Sequence, residues 1–177
     1  ISEDENISNF RDKTFRIFTK DDKKIIENSA GIQFFLRYIQ TNNTITETFI
    51  RNLHHVNSKI DFSGKVVIDA GAECGDTPLY FASKGATVYA FEPIKEHFEA
   101  LSKNLSLNEK LSKSIIPINA AIGKDELLTF YRDNSTDIGT SASFVYNKHG
   151  PDARTSKIQG MSLSTVFKKY NITRIDL

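Results

Sequence analysis

Short apolar runs alternate with stretches of helical spacing along this chain, most regularly between Lys65 and Gly123. Lys65 to Ala70 is an apolar run interrupted by an acid near its end, and Gly71 and Gly75 then mark a tight turn into a helix over about Thr77 to Lys84. Gly85 stops that helix. Thr87 to Phe91 is a second strand, which Pro93 bars from continuing, and Lys95 to Leu107 places Phe98, Leu101 and Leu105 on one helical face. Ser114 to Ile122 is a third strand, closed by Gly123. The β-α-β-α-β order predicts an α/β fold with parallel strands and right-handed crossovers.

The flanks read differently. Residues 1–24 are polar with scattered Phe10, Phe15 and Phe18, and Lys20 to Lys24 is read as solvent-facing. Ile25, Ile32, Phe35, Leu36 and Ile39 have helical spacing, so a helix is expected from Ile25 to Ile39. Thr44-Ile45-Thr46-Glu47 has the pattern of a capping box, opening a second helix to about Val56. The expected organisation is therefore a helical extension over residues 1–60 and an α/β domain over 61–177. After Gly123, Glu126 to Arg132 reads as a strand and Asp133 to Gly160 as a long polar loop without periodicity. Leu163 to Tyr170 follows as a helix, and Ile172 to Leu177 as the opening of a further strand. Because the chain begins at Ile1 and ends on that opening strand, the domain is expected to be incomplete at its C-terminal end.

Composition narrows the function classes. With 23 basic and 22 acidic side chains in 177 residues, the formal charge of +1 argues for no nucleic-acid partner, leaving open only a local basic patch. One cysteine, Cys74, excludes an intrachain disulfide framework and a multi-cysteine metal site, and a reducing cytoplasmic location follows more easily. No apolar run approaches the roughly 20 residues needed to cross a bilayer, so no membrane partner is expected.

The chemistry concentrates in Val66-Val67-Ile68-Asp69-Ala70-Gly71-Ala72-Glu73-Cys74-Gly75-Asp76 and in Val88-Tyr89-Ala90-Phe91-Glu92-Pro93. Glycines in a strand-to-helix turn let the backbone approach a ligand, and an acid ending the second strand can take ribose hydroxyls. Asp69 and Gly71 would also serve simply to close the turn, with Asp76 capping the helix. The two acids together, about 23 residues apart, favour a nucleoside-type cofactor. Glu73 stands where a dinucleotide-binding motif has its second glycine, and a carboxylate there repels a pyrophosphate. A phosphate-free cation suits the loop better. S-adenosyl-L-methionine is such a ligand: Asp69 would hold its ammonium end, directly or through water, and Glu92 its ribose.

These segments resemble the FkbM family of S-adenosylmethionine-dependent methyltransferases. The likeness extends through Phe98-Glu99-Ala100-Leu101, Asn104 to Asn108, Asn119 to Gly123, Gly139-Thr140-Ser141 and Leu163 to Phe167, about residues 64–177 in all. It implies a Rossmann-like class I methyltransferase sheet and O-methylation of a hydroxyl on a sugar or other small metabolite. By motif position, Asp69, Gly71, Ala72, Glu73, Cys74 and Gly75 would line the methionine end. Glu92 would bind ribose beside Pro93, and Asn119 and Ala120 would approach adenine. Cys74 stands where the family has asparagine or a small aliphatic residue. The family continues Ile175-Asp176-Leu177 into Lys-x-Asp-x-Glu-Gly, so Asp176 is not assigned a catalytic role and the catalytic residue is unknown.

Other candidates are weaker. The adjacent His54 and His55 point to different helix faces and make a poor metal site, and no metal is expected. His97 is read as an exposed residue within reach of the adenosine edge, and His149 as the one histidine in an acceptor loop. Ser141 and Ser143 lack a base partner, while Tyr131 and Tyr146 suit packing or a substrate groove. Apolar residues in the first 60 positions would serve a homodimer contact as readily as a lid. The competing functions are a non-catalytic cofactor-binding module and, disfavoured by Glu73, an NAD-binding Rossmann domain.

Overall fold

The computed structural model describes residues 15–39, 42–51, 61–132 and 153–177. Its first part is a sheet, and the helix expected over Ile25 to Ile39 is not formed. Strands β1 (Phe15–Lys20), β2 (Lys23–Asn28) and β3 (Gln33–Phe35) pair antiparallel in that order, followed by a 3-10 turn at Leu36–Tyr38. Two local devices override the helical spacing. Asp21 and Asp22 both take positive φ (48° and 58°), the left-handed pair that a two-residue hairpin turn needs. Asn28 then turns the chain again: its Oδ1 accepts the N–H groups of Ala30 and Ile32 at 3.0 and 2.9 Å, while Gly31 supplies φ +80°. Nor does Thr44 open its helix as the capping-box pattern predicts. Helix α1 (Asn42–Ile45) has already begun before Thr44 and widens into a π-helical turn at Thr46–Ile50, closed by Arg51 N–H on the Thr46 carbonyl at 2.8 Å. The expected continuation to Val56, with His54 and His55, lies outside the described residues.

The central sheet is parallel, as the alternation predicts. Its strands β4 (Val66–Ala70), β5 (Thr87–Phe91) and β6 (Ile115–Ile118) lie in that order. Helix α2 (Asp76–Ser83) connects the first two; α3 (Lys95–Leu107) and α4 (Glu109–Ser112) connect the second pair. Gly85 ends α2 as expected, with φ +92° and its N–H on the Ala82 carbonyl. The third strand is shorter than its apolar run because Asn119 and Ala120 break it from β7 (Ala121–Ile122).

Side chains alternate across the strands and divide the core in two. Val67, Val88, Ala90 and Ile115 face a cluster with Leu79, Phe81, Leu101 and Leu105 of α2 and α3. The same cluster contains Phe15, Ile26, Phe34 and Leu36, so the N-terminal sheet and the parallel sheet share one apolar interior. On the opposite face Val66, Ile68, Tyr89 and Ile116 pack with Val166 and Phe167 of α5 (Leu163–Tyr170).

The polar stretch after Arg132 is partly strand: β9 (Arg154–Met161) pairs antiparallel with β8 (Leu127–Arg132) and parallel with β7. Residues 133–152 of that stretch, including Ser141, Ser143, Tyr146 and His149, lie outside the described residues. The last residues dock on the free edge of β4. Asp176 N–H donates to the Val66 carbonyl at 2.8 Å and Ile68 N–H to that of Leu177 at 2.9 Å. Asp176 is structural here, its Oδ2 accepting Val66 N–H at 3.0 Å; that bond, with Arg174 and Lys65 nearby, keeps its carboxyl below the ordinary range.

Candidate functional site

The parallel register brings the carboxyl ends of β4, β5 and β6 to one edge of the sheet, where open α/β folds bind ligands. The loop Gly71–Asp76 leaves β4 there, Glu92 and Pro93 leave β5, and Asn119 and Ala120 leave β6. All ten sequence-predicted cofactor residues belong to the two motif stretches and the β6 end that this edge gathers, Cys74 lying buried within the loop.

Three residues of the loop take positive φ: Gly71 (102°), Glu73 (45°) and Gly75 (92°). For the glycines this costs little, but Glu73 holds a conformation that L side chains rarely adopt, and such strain gathers at functional sites. Gly71 opens onto empty space: a Cβ built there meets nothing within 4 Å. Gly75 is the reverse, since a Cβ would come 2.7 Å from Leu101 Cδ1, so glycine lets α3 close against the loop. The loop is anchored to β5. Gly71 and Ala72 N–H both donate to the Phe91 carbonyl, at 2.8 and 3.0 Å.

Glu92 is the hub. It is 3% exposed, and its two carboxylate oxygens accept the N–H groups of Glu73 and Ile94, each at 2.8 Å. Asn119 Nδ2 donates to the Glu92 carbonyl at 2.8 Å and more weakly to that of Pro93 at 3.3 Å. His97 is buried and not exposed as its helical position suggested; its Nδ1 lies 3.7 Å from Glu92 Oε1. Helix α3 turns that face toward the sheet with Leu101 and Leu105.

The electrostatics are one-sided. Asp69 is half-buried as a residue, but its Oδ2 is shielded from solvent and has no hydrogen-bond partner among the described residues. Burial first, and then the charges of Asp76 and Glu92, push its carboxyl up to about 7. Burial followed by Asp76, Glu92 and Glu47 lifts Glu73 to about 7 as well. Glu92 is raised by burial, an effect opposed by its two backbone bonds. The Cys74 thiol is pushed far up by burial, which makes it inert as a nucleophile.

Asp76 does not cap α2. The N-cap position is Gly75, without a side-chain bond, and Asp76 Oδ2 instead accepts the hydroxyl of Thr48. Thr48 carried no signal in the sequence; Asn104 stood within the segments that carry the family likeness but without a role, and here it binds the Cys74 carbonyl through Nδ2 at 2.8 Å. Both are fully buried polar residues outside the loop motif. Among the described residues no group of His, Cys, Asp and Glu is arranged to hold a metal ion, and no helix is long and apolar enough to cross a membrane.

Sheet, loop and acid cluster together define an α/β domain with a glycine-turn site at the carboxyl edge of its parallel strands. Residues 69–177 match the model of the methyltransferase FkbM domain, and the chain belongs to that family. No curated protein matches it. A solved structure described as the complex structure of aTrm5 and tRNALeu is similar at 21% identity and a TM-score of 0.38. The match covers 62% of this chain and 29% of that one, so this chain spans less than a third of its length. The tRNA named there is that protein's partner, and the expectation that this chain has no nucleic-acid partner is withdrawn. A net charge averages the whole surface and is silent about a local binding face.

Proposed function

We propose that this domain binds S-adenosyl-L-methionine at the carboxyl edge of a Rossmann-like sheet and methylates a hydroxyl of a sugar or other small metabolite. The observation that carries the reading is the shielded Asp69 Oδ2, unpartnered among the described residues, beside the open ground at Gly71. The charges acting on Asp69 and Glu73 are all carboxylates, so the site suits a cation and repels a pyrophosphate. When bound, the cofactor supplies an electrophilic methyl group on a sulfonium.

The chain's own residues bind and orient. Asp69 would receive the ammonium end, directly or through water. Each Glu92 oxygen has one backbone donor and retains acceptor capacity for a ribose hydroxyl. Asn119, by holding the Glu92 and Pro93 carbonyls, fixes the rim on which adenine would lie. The loop backbone at Gly71 and Ala72 is kept from sagging by its bonds to Phe91. With a good leaving group, alignment of the acceptor oxygen is the larger part of the task.

Isothermal titration calorimetry against S-adenosylmethionine and NAD tests the reading. Saturable heat with the former and none with the latter is expected. Tighter binding of NAD would overturn the assignment.

A further inference from the structure

The Gly71–Asp76 loop is held from behind by the π-helical turn and, through α3, by the N-terminal sheet, and both the turn and that sheet lie outside the matched residues 69–177. Thr48, in the π-helical turn, is fully buried, and its hydroxyl donates to Asp76 Oδ2 at the start of α2. Asn104 on α3 is also fully buried and makes two bonds in opposite directions. Its Nδ2 donates to the Cys74 carbonyl inside the loop, and its Oδ1 accepts Phe35 N–H of β3 at 2.9 Å. One helical turn on, Asn108 repeats the link to the N-terminal sheet: it accepts Gln33 N–H at 3.0 Å and donates to the Gln33 carbonyl at 2.7 Å. Donation to the Asn104 carbonyl at 2.8 Å couples the two asparagines. Around these bonds Phe34, Phe49, Tyr80 and Phe81 form a chain of ring contacts from β3 through the π-helical turn to α2.

We infer that Thr48 and Asn104 are positioning residues, through which the N-terminal sheet and the π-helical turn hold the glycine loop in its ligand-receiving shape. The physical case is one of satisfaction. A buried carboxylate, a buried carbonyl and a buried strand N–H each require a partner, and these two side chains provide all three. The loop carries strain at Glu73 and open space at Gly71, and the β5 contacts reach only its first residues, Gly71 to Glu73. Thr48 and Asn104 meet its far end, Cys74 to Asp76. The inference rests on the reading of this loop as the cofactor loop, but its central measurement needs no cofactor.

Amide hydrogen exchange of the full chain without ligand is the test, because the N–H groups of Gly71, Ala72, Glu73 and Gly75 are all hydrogen-bonded and their protection can be followed. Thr48→Val keeps the side-chain shape and removes the donor; Thr48→Ser restores a hydroxyl; Thr48→Ala is the second variant should the valine fail to fold. Loop amides in Thr48→Val are expected to exchange roughly tenfold faster while Val88 to Phe91 of β5 stay protected, with Thr48→Ser close to the parent. Calorimetry on the same proteins should show S-adenosylmethionine bound about tenfold more weakly by Thr48→Val, with recovery in Thr48→Ser. Unchanged loop exchange, or equal acceleration in loop and β5, overturns the inference. If the parent protein fails to bind S-adenosylmethionine, the proposed function falls, and loop exchange still decides the positioning role.

Discussion

At the scale of single residues, Asp69 concentrates the physics of the site. A carboxyl ordinarily near 3.8 is pushed up to about 7 because its Oδ2 is shielded and its charged neighbours, Asp76 and Glu92, are also acids. Between those two values the folded protein holds a proton that the unfolded chain has released. This contribution to stability is therefore complete below about pH 4 and is lost as pH rises through about 7. Asp69→Asn removes the penalty. Its melting temperature is expected to exceed that of the parent by several degrees near pH 8, with the gap closing toward pH 4, and to come with weakened cofactor binding. Thermal denaturation at the two pH values checks the sign; a variant less stable than the parent at pH 8 would contradict it. That Asp69, Gly71 and Glu92 meet at one edge of the sheet was legible in the sequence, because strand, turn and acid occur at a spacing that local geometry explains. Thr48 was not legible. A threonine in a polar segment looks like any other until the fold sets it against a buried carboxylate.

At the scale of elements, the parallel strands and their helices could be read from the chain, and the N-terminal sheet could not. Ile25, Ile32, Phe35, Leu36 and Ile39 satisfy a helical period, yet Ile25 and Ile26 are both buried in β2. A strand covered on both faces loses the alternation that marks a strand. The deciding signal was a single asparagine. Asn28 is buried and its carbonyl oxygen holds two backbone N–H groups, so the β2–β3 turn depends on it. Asn28→Ala should cost about 1–3 kcal/mol, the range for leaving buried donors unpaired, measured as a lower urea midpoint with unchanged slope. His97 teaches the same lesson on a smaller scale: helical phase put it beside Ala100, Leu101 and Asn104 on the buried side of α3.

At the scale of the molecule, the two sheets share an interior. Phe34 of β3 and Phe81 of α2 belong to one cluster with Val67 and Val88 of the parallel sheet. Unfolding is therefore expected to be a single cooperative transition across both sheets. Phe34→Ala, which empties a fully buried position, should destabilise by about 3–5 kcal/mol and move far-ultraviolet circular dichroism and tyrosine fluorescence midpoints together. Separate midpoints would show that the sheets fold independently.

By itself, the sequence determined the β-α-β-α-β register of residues 65–122 and the acids and glycines at the strand ends, because each depends on neighbours close in the chain. Period, turn chemistry and the reach of one loop are local properties. The tertiary structure alone decided what lies behind the site. It buried His97 beside Glu92, set Thr48 against Asp76, and joined Asn104 to β3, pairings that span 28 and 69 positions in the last two cases. Burial makes those polar groups find partners, and which partners they find is fixed only when the N-terminal sheet closes over the helices of the parallel one.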